Sequence, residues 1–290
     1  MNAAIFAAVL VAAALHATWN AIVKRGGGEG GDPQAATVLV TAGAALVAAA
    51  ALPFLPAPAQ ASWGFIAIST GLQVAYFMLV ARAYQAADMS LAYPLMRGGA
   101  PLIVAPAGQL LFAEPLAPLA WGGVAMICGG VLSMAFGGPR DPRAARAARG
   151  EGRAIAIALA NAVVIAAYTL VDGLGVRRSG APAAYTLWLF LLTGIVLVVG
   201  ALATRGPAFV VQARRRWPTG LAGGAGATAS YGLALWAMTE APVAKVAALR
   251  ETSIVFGAAI SVLVLKERPR VIRLLAACAI AAGAATLRLG

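Results

Sequence analysis

The sequence predicts an all-α integral membrane protein: ten transmembrane helices arranged as two inverted five-helix repeats. Three observations carry that expectation. First, the 290-residue chain is 61% hydrophobic and only 11% charged, with a mean hydropathy of +0.85. Second, it contains several apolar stretches of about 18 residues or more, the length that a spanning helix needs. Third, adding 153 to a position in the first half reaches a related residue in the second, without gaps. Lys24 and Arg25 land on Arg177 and Arg178, Arg97 on Arg250, Glu114 on Glu267 and Gly130 on Gly283.

The apolar pattern places the passes at about 2–23, 34–52, 62–86, 89–111 and 116–136 in the first half. In the second they fall at about 154–176, 181–203, 218–239, 242–265 and 270–288. The gaps between them are short and rich in Gly, Pro and charge, as in RGGGEGGDP and TRGPAFVVQARRRWP. Residues 1–137 form the N-terminal repeat and 154–290 the C-terminal one. Between them, 138–153 is a basic linker with no apolar side chain larger than Ala. Five passes is an odd number, so the chain enters its second half from the opposite face, and the halves must be inverted.

Charge sets the expected orientation. The odd-numbered loops hold 16 Lys and Arg, while the even-numbered loops and the termini hold three: Arg177, Arg178 and Arg288. By the positive-inside rule the odd loops and the linker are cytoplasmic and both termini are periplasmic. The same sidedness accounts for the net charge of +12 without nucleic acid, since no aromatic residues interleave the basic ones. Two cysteines, Cys128 and Cys278, make no disulfide framework. No HExxH, GxSxG or Walker pattern occurs, and the one histidine cannot form a metal site alone. The expectation is a protein that is not an enzyme and uses no cofactor or metal.

Function is therefore sought among polar and aromatic residues inside the passes, where ionisable groups are costly and mark pathways. In the fourth, LAYPLMRGGAPLIVAPAGQLLFAE surrounds Arg97 with Pro94, Gly98, Gly99 and Pro101. These breakers predict a local interruption of the helix there. Its repeat, AKVAALRETSIVFGAAISVLVLKE, carries Arg250. Both arginines are placed about two turns, roughly 12 Å, in from the outer end of their passes, and because the repeats run in opposite directions they need not share one depth. The first pass offers His16, Trp19 and Asn20, at a spacing that shares one helix face. The sixth offers Tyr168 and Asp172, the third Tyr76, and the eighth Tyr231 and Trp236. Tyr93, Met96 and Glu251 complete the substrate-binding candidates. Asp172, Glu240 and Glu251 are candidate partners of the buried cations, with Glu251 set against Lys245 or Arg250. Glu114, Glu240, Lys245 and Glu267 are candidates for gates or helix ends.

The motif HATWN with Lys24, the doubled five-span plan, Arg97…Glu114 echoed by Arg250…Glu267, and YTLVDG at 168–173 resemble the drug/metabolite transporter superfamily. The likeness is to its ten-helix EamA-type members, among them bacterial exporters of aromatic amino acids. The resemblance implies a basket in which passes one, three, four, six, eight and nine surround a central cavity, with five and ten peripheral. It implies a secondary transporter in the bacterial inner membrane. Such a protein exports amino acids or similar small metabolites by alternating access. A lipid or lipid-linked sugar flippase, or a broad drug and metabolite efflux carrier, is the alternative. The expected partners are a small molecule and the lipid bilayer, with no nucleic acid, and the expected state is a monomer.

Overall fold

The computed structural model describes residues 1–27, 33–86, 89–136, 148–263 and 271–290. The first repeat contains α1 (Ala3–Gly27), α2 (Pro33–Ala51), α3 (Trp63–Ala86), α4 (Met89–Phe112) and α5 (Pro118–Phe136). The second contains α6 (Ala148–Ser179), α7 (Pro182–Arg205), α8 (Pro207–Glu240), α9 (Val243–Arg250), α10 (Ser253–Leu263) and α11 (Val271–Leu289). Eight of these, α1 to α7 and α11, are each long and apolar enough to cross a membrane. The basic helix α8 and the two-piece α9–α10 supply the other two passes, which makes ten.

Helix ends depart from the expected boundaries in three places. The stretch 204–217, expected as a loop, is mostly the start of α8. Gly206, at φ +53°, turns the chain out of α7, and Pro207 then fills a first-turn position that needs no N–H donor. Phe209 packs on Leu39 and Ala201 and holds that start in place. Helix α6 begins at Ala148, inside the expected linker, and α1 runs on to Gly27.

The larger departure concerns the fourth pass of each repeat. Helix α4 is continuous through Pro94, Pro101 and Pro106, so the interruption expected beside Arg97 is absent. Close packing holds α4 together. A Cβ placed on Gly98 would stand 2.9 Å from Leu132 of α5, and one on Gly99 3.2 Å from Ala162 of α6. The break falls in the other repeat, at Glu251–Thr252. There the backbone tightens to i→i−3 bonds: Glu251 N–H donates to the Ala248 carbonyl (3.0 Å) and Thr252 N–H to that of Leu249 (3.1 Å). Such a mid-helix tightening marks a hinge or a strained point.

The inversion is visible in paired contacts. A Cβ on Gly123 would lie 2.8 Å from the Gly283 carbonyl oxygen, and one on Gly130 2.9 Å from that of Ala276. Ala276 is the repeat equivalent of Gly123, and Gly283 that of Gly130. Exchanging the repeats therefore turns one contact into the other. Small residues let α5 and α11 approach this closely, as they do at many membrane helix interfaces. The same exchange relates α3 on α6 to α8 on α1. None of the candidate site residues lies on α5 or α11.

Candidate functional site

Three polar assemblies lie where the repeats meet. The first is an ion pair between repeats. Arg97 of α4 donates from Nε to Glu251 Oε2 at 3.0 Å, and its Nη2 stands 3.0 Å from Oε1. The side chains are only 7% and 6% exposed. Two parallel contacts from a planar guanidinium to a carboxylate form a strong, directional pair. Glu251 thus pairs with neither Lys245 nor Arg250. On a helix the side chains of adjacent residues diverge, and the break after Arg250 turns Glu251 toward α4. Helices α4 and α9 start from opposite faces, so Arg97 and Arg250 approach the midplane from opposite sides, each about 12 Å along its helix.

The second assembly is built on Asp172 of α6, which is fully buried. The Tyr185 hydroxyl donates to Oδ1 at 2.9 Å and the Tyr231 hydroxyl to Oδ2 at 2.6 Å. The Arg250 guanidinium lies 4.8 Å over the Tyr231 ring, a cation–π contact. Tyr231 therefore touches an anion through its hydroxyl and a cation through its face. Its ring meets Phe190 edge-on at 6.0 Å and Tyr168 at 6.2 Å. Tyr168 in turn meets Tyr76 at 5.8 Å. Gly175 makes room for this packing, since a Cβ there would collide with the Tyr185 hydroxyl and with Phe65.

The third assembly is a clasp on the face that carries both chain ends. Arg177, in the last turn of α6, reaches Glu114 Oε1 at 2.6 Å. It also donates to the carbonyls of Met238 (2.7 Å) and Ala241 (3.0 Å), and lies 4.8 Å over the Phe112 ring. Glu114 Oε2 accepts the Val243 N–H at 3.1 Å. The clasp joins the ends of α4, α6 and α8 to the start of α9. Ala113 sits at φ +53°, a left-handed conformation costly for a residue with a Cβ, and it turns the chain out of α4 directly before Glu114.

The other candidates are placed as follows. His16 and Trp19 meet edge-on at 5.3 Å. The Trp19 indole nitrogen is buried without a hydrogen-bond partner among the described residues. Asn20 is exposed and donates back to the His16 carbonyl at 2.7 Å. Met96 is buried, and its sulfur accepts from the Asn161 amide at 2.9 Å. Tyr93 is half-buried one turn before Arg97. Trp236 is 40% exposed and lies about 140° round α8 from Tyr231, away from the cluster. Glu240 is exposed at the end of α8, 3.4 Å from the Thr239 hydroxyl. Lys245 is buried on α9 and has no carboxylate partner among the described residues. Glu267 lies outside the described residues.

Sequence reasoning missed Tyr185, Asn161 and the role of Arg177. Arg177 carried a usable signal, because it is one of the few basic residues on the expected periplasmic side. Tyr185 and Asn161 lie in apolar runs without a neighbouring charge, and no local pattern marks them.

Ten passes in two inverted repeats, with paired charges and aromatic rings buried at their junction, follow the plan of a polytopic membrane transporter. Residues 152–289, the second repeat, match the EamA-like transporter family. That repeat is similar to the EamA-like transporters, a family within the drug/metabolite transporter superfamily. One solved structure, described as "Crystal structure of protein", covers 100% of this chain and 99% of its own at a TM-score of 0.75 and 19% identity. At that identity it shows the fold alone. No curated protein matches the chain.

Proposed function

We propose that this transporter exports amino acids, aromatic ones included, or similar small zwitterions by alternating access between its repeats. One observation carries the reading. Arg97 is neutralised by Glu251, whereas Arg250 faces an aromatic ring whose hydroxyl holds Asp172. A cation with no carboxylate partner among the described residues and a buried carboxylate thus flank one tyrosine. A substrate carboxylate would take the Arg250 guanidinium and a substrate ammonium the Asp172 carboxylate. Tyr76, Tyr168 and Phe190 would form an apolar wall for the side chain. The Glu114–Arg177 clasp is the gate on the face of the termini, and the break at Glu251–Thr252 is where α9 moves against α10.

In this reading the protein works as a monomer in a bacterial inner membrane, with its termini periplasmic. A reporter fused at Gly290 should then read as periplasmic and one in the 138–153 linker as cytoplasmic. The main test is counterflow into liposomes holding the purified protein, with a panel of labelled amino acids. Accumulation of at least one of them, abolished in Asp172→Asn, is expected. No accumulation of any amino acid by folded protein would refute the reading.

A further inference from the structure

We infer that the groove between α1, α10 and α11 binds one anionic phospholipid, with its phosphate on Arg288 and an acyl chain along the groove. The groove encloses about 570 Å³, within the range of about 300–1,000 Å³ typical of small-molecule sites. Phe6 and Leu10 of α1, Val255 and Phe256 of α10, and Ala284 and Ala285 of α11 line it. It runs from the face of the chain ends to Leu10, nine residues beyond Met1. At 1.5 Å per residue this is roughly 13 Å, close to one leaflet of a hydrocarbon core about 30 Å thick.

The repeat explains why the groove exists. Ala284 and Ala285 are the equivalents of Val131 and Leu132. In the first repeat, Leu132 and Val131 close against α4, 2.9 Å and 3.2 Å from a Cβ placed on Gly98. In the second, alanines replace both bulky side chains, and α11 packs far less on α10 than α5 does on α4. The space is therefore written into the sequence of one repeat only.

Charge complementarity names the occupant. Arg288 is exposed in the last turn of α11, at the membrane-surface end of the groove. Its guanidinium lies 5.5 Å over the Phe6 ring. The ring covers one face and leaves the N–H edge open to a phosphate, the group a guanidinium binds as a fork. No carboxylate among the described residues pairs with it. Ala281, Ala285 and Leu289 on its wall are exposed on a helix long and apolar enough to span. A bilayer covers such a surface with hydrocarbon, so the molecule that meets it is a lipid. At its deep end stands Thr252, next to Glu251, so the tip of the acyl chain would lie against the α9–α10 break.

The test uses the full chain in nanodiscs containing phosphatidylglycerol or phosphatidylcholine with a photoreactive diazirine in one acyl chain. Crosslinks are mapped by peptide mass spectrometry. Wild type should crosslink to α10 and α11 at least three-fold more with phosphatidylglycerol. Arg288→Gln should bring that ratio to one. Ala285→Leu, which restores the side chain of the first repeat, should lower crosslinking by both lipids at Val255 and Phe256. If that variant does not fold, Ala285→Val serves instead. Equal crosslinking by the two lipids in wild type would overturn the inference, as would a preference that survives Arg288→Gln. So would an Ala285→Leu variant that stops amino-acid counterflow while lipid crosslinking stays unchanged, because the groove would then be a passage for substrate. The crosslinking readout needs no transported substrate, so it stands or falls separately from the export reading.

Discussion

The fourth pass of each repeat starts from the same plan and ends differently. Helix α4 follows Arg97 with Gly98 and Gly99 and stays continuous through three prolines. Its equivalent follows Arg250 with Glu251 and Thr252 and breaks. Gly98 lets α4 lie close on α5, whereas Glu251 reaches across to Arg97. One divergent position thus gives Arg97 its counter-charge, while Arg250 has none among the described residues. A duplicated scaffold sets shape, while a few unmatched residues decide which cation gains a carboxylate partner. Asp172 has the same history, since its equivalent in the first repeat is Trp19.

Breaking the inter-repeat pair should have the largest effect. Glu251→Ala leaves Arg97 buried and uncompensated, which should cost about 3–5 kcal/mol and show as a large fall in the thermal unfolding temperature in detergent. Combining it with Arg97→Met should recover most of that loss, because an apolar pair carries no desolvation penalty. If the single variant is as stable as wild type, the pair does not join the repeats.

Gly98→Ala tests the closed side of the comparison. Its Cβ would press on Leu132 at 2.9 Å, and overpacking of that kind costs about 1–3 kcal/mol. Leu132→Ala in the same chain should relieve part of it. Gly257, on α10, meets nothing within 4 Å, so Gly257→Ala should be tolerated.

The two tyrosines on Asp172 should separate next. Tyr185→Phe removes one hydrogen bond to a buried carboxylate, worth about 1.5–3 kcal/mol, and should lower stability with little change in substrate affinity. Tyr231→Phe should also weaken substrate binding, because its hydroxyl sets the carboxylate beside Arg250. Equal effects of the two on affinity would contradict the distinction. The smallest stability change belongs to Glu114→Gln, which keeps a side-chain oxygen for the Val243 N–H and leaves the carbonyl bonds of Arg177 in place. The ion pair it removes is 26% and 22% exposed, so its net worth is about 1 kcal/mol or less. The expected readout is faster labelling of a cysteine placed at Ala244, in a chain whose two native cysteines are replaced, by a membrane-impermeant thiol reagent.

Much of this was legible in the sequence, for identifiable reasons. Eight of the ten passes follow from apolar length and the other two from the repeat, and inversion follows from the odd number of passes in each repeat. Arg97, Arg250 and Asp172 stand out because charge is rare inside apolar spans. The partner of Glu251 was not legible. Lys245 and Arg250 lie nearby in the chain, while Arg97 lies 154 residues away in the other repeat. The continuity of α4 was also hidden, because its prolines argue locally for a break and only packing on α5 and α6 overrides them. Arg177 was read as a charge in a loop, yet its side chain points back into the bundle to satisfy carbonyls at the end of α8.

The central claim is that Arg250 and Asp172 together bind a zwitterion, while Arg97 and Glu251 satisfy each other. The most direct test is competition in counterflow between a transported amino acid, its decarboxylated amine and its deaminated acid. Each analogue strands one charged group of the site, and the full amino acid should compete at least ten-fold better than either, a difference of about 1.4 kcal/mol or more. In Arg250→Gln the amine should compete as well as the amino acid. If the amine already matches the amino acid in wild type, Arg250 does not bind a carboxylate and the account is wrong.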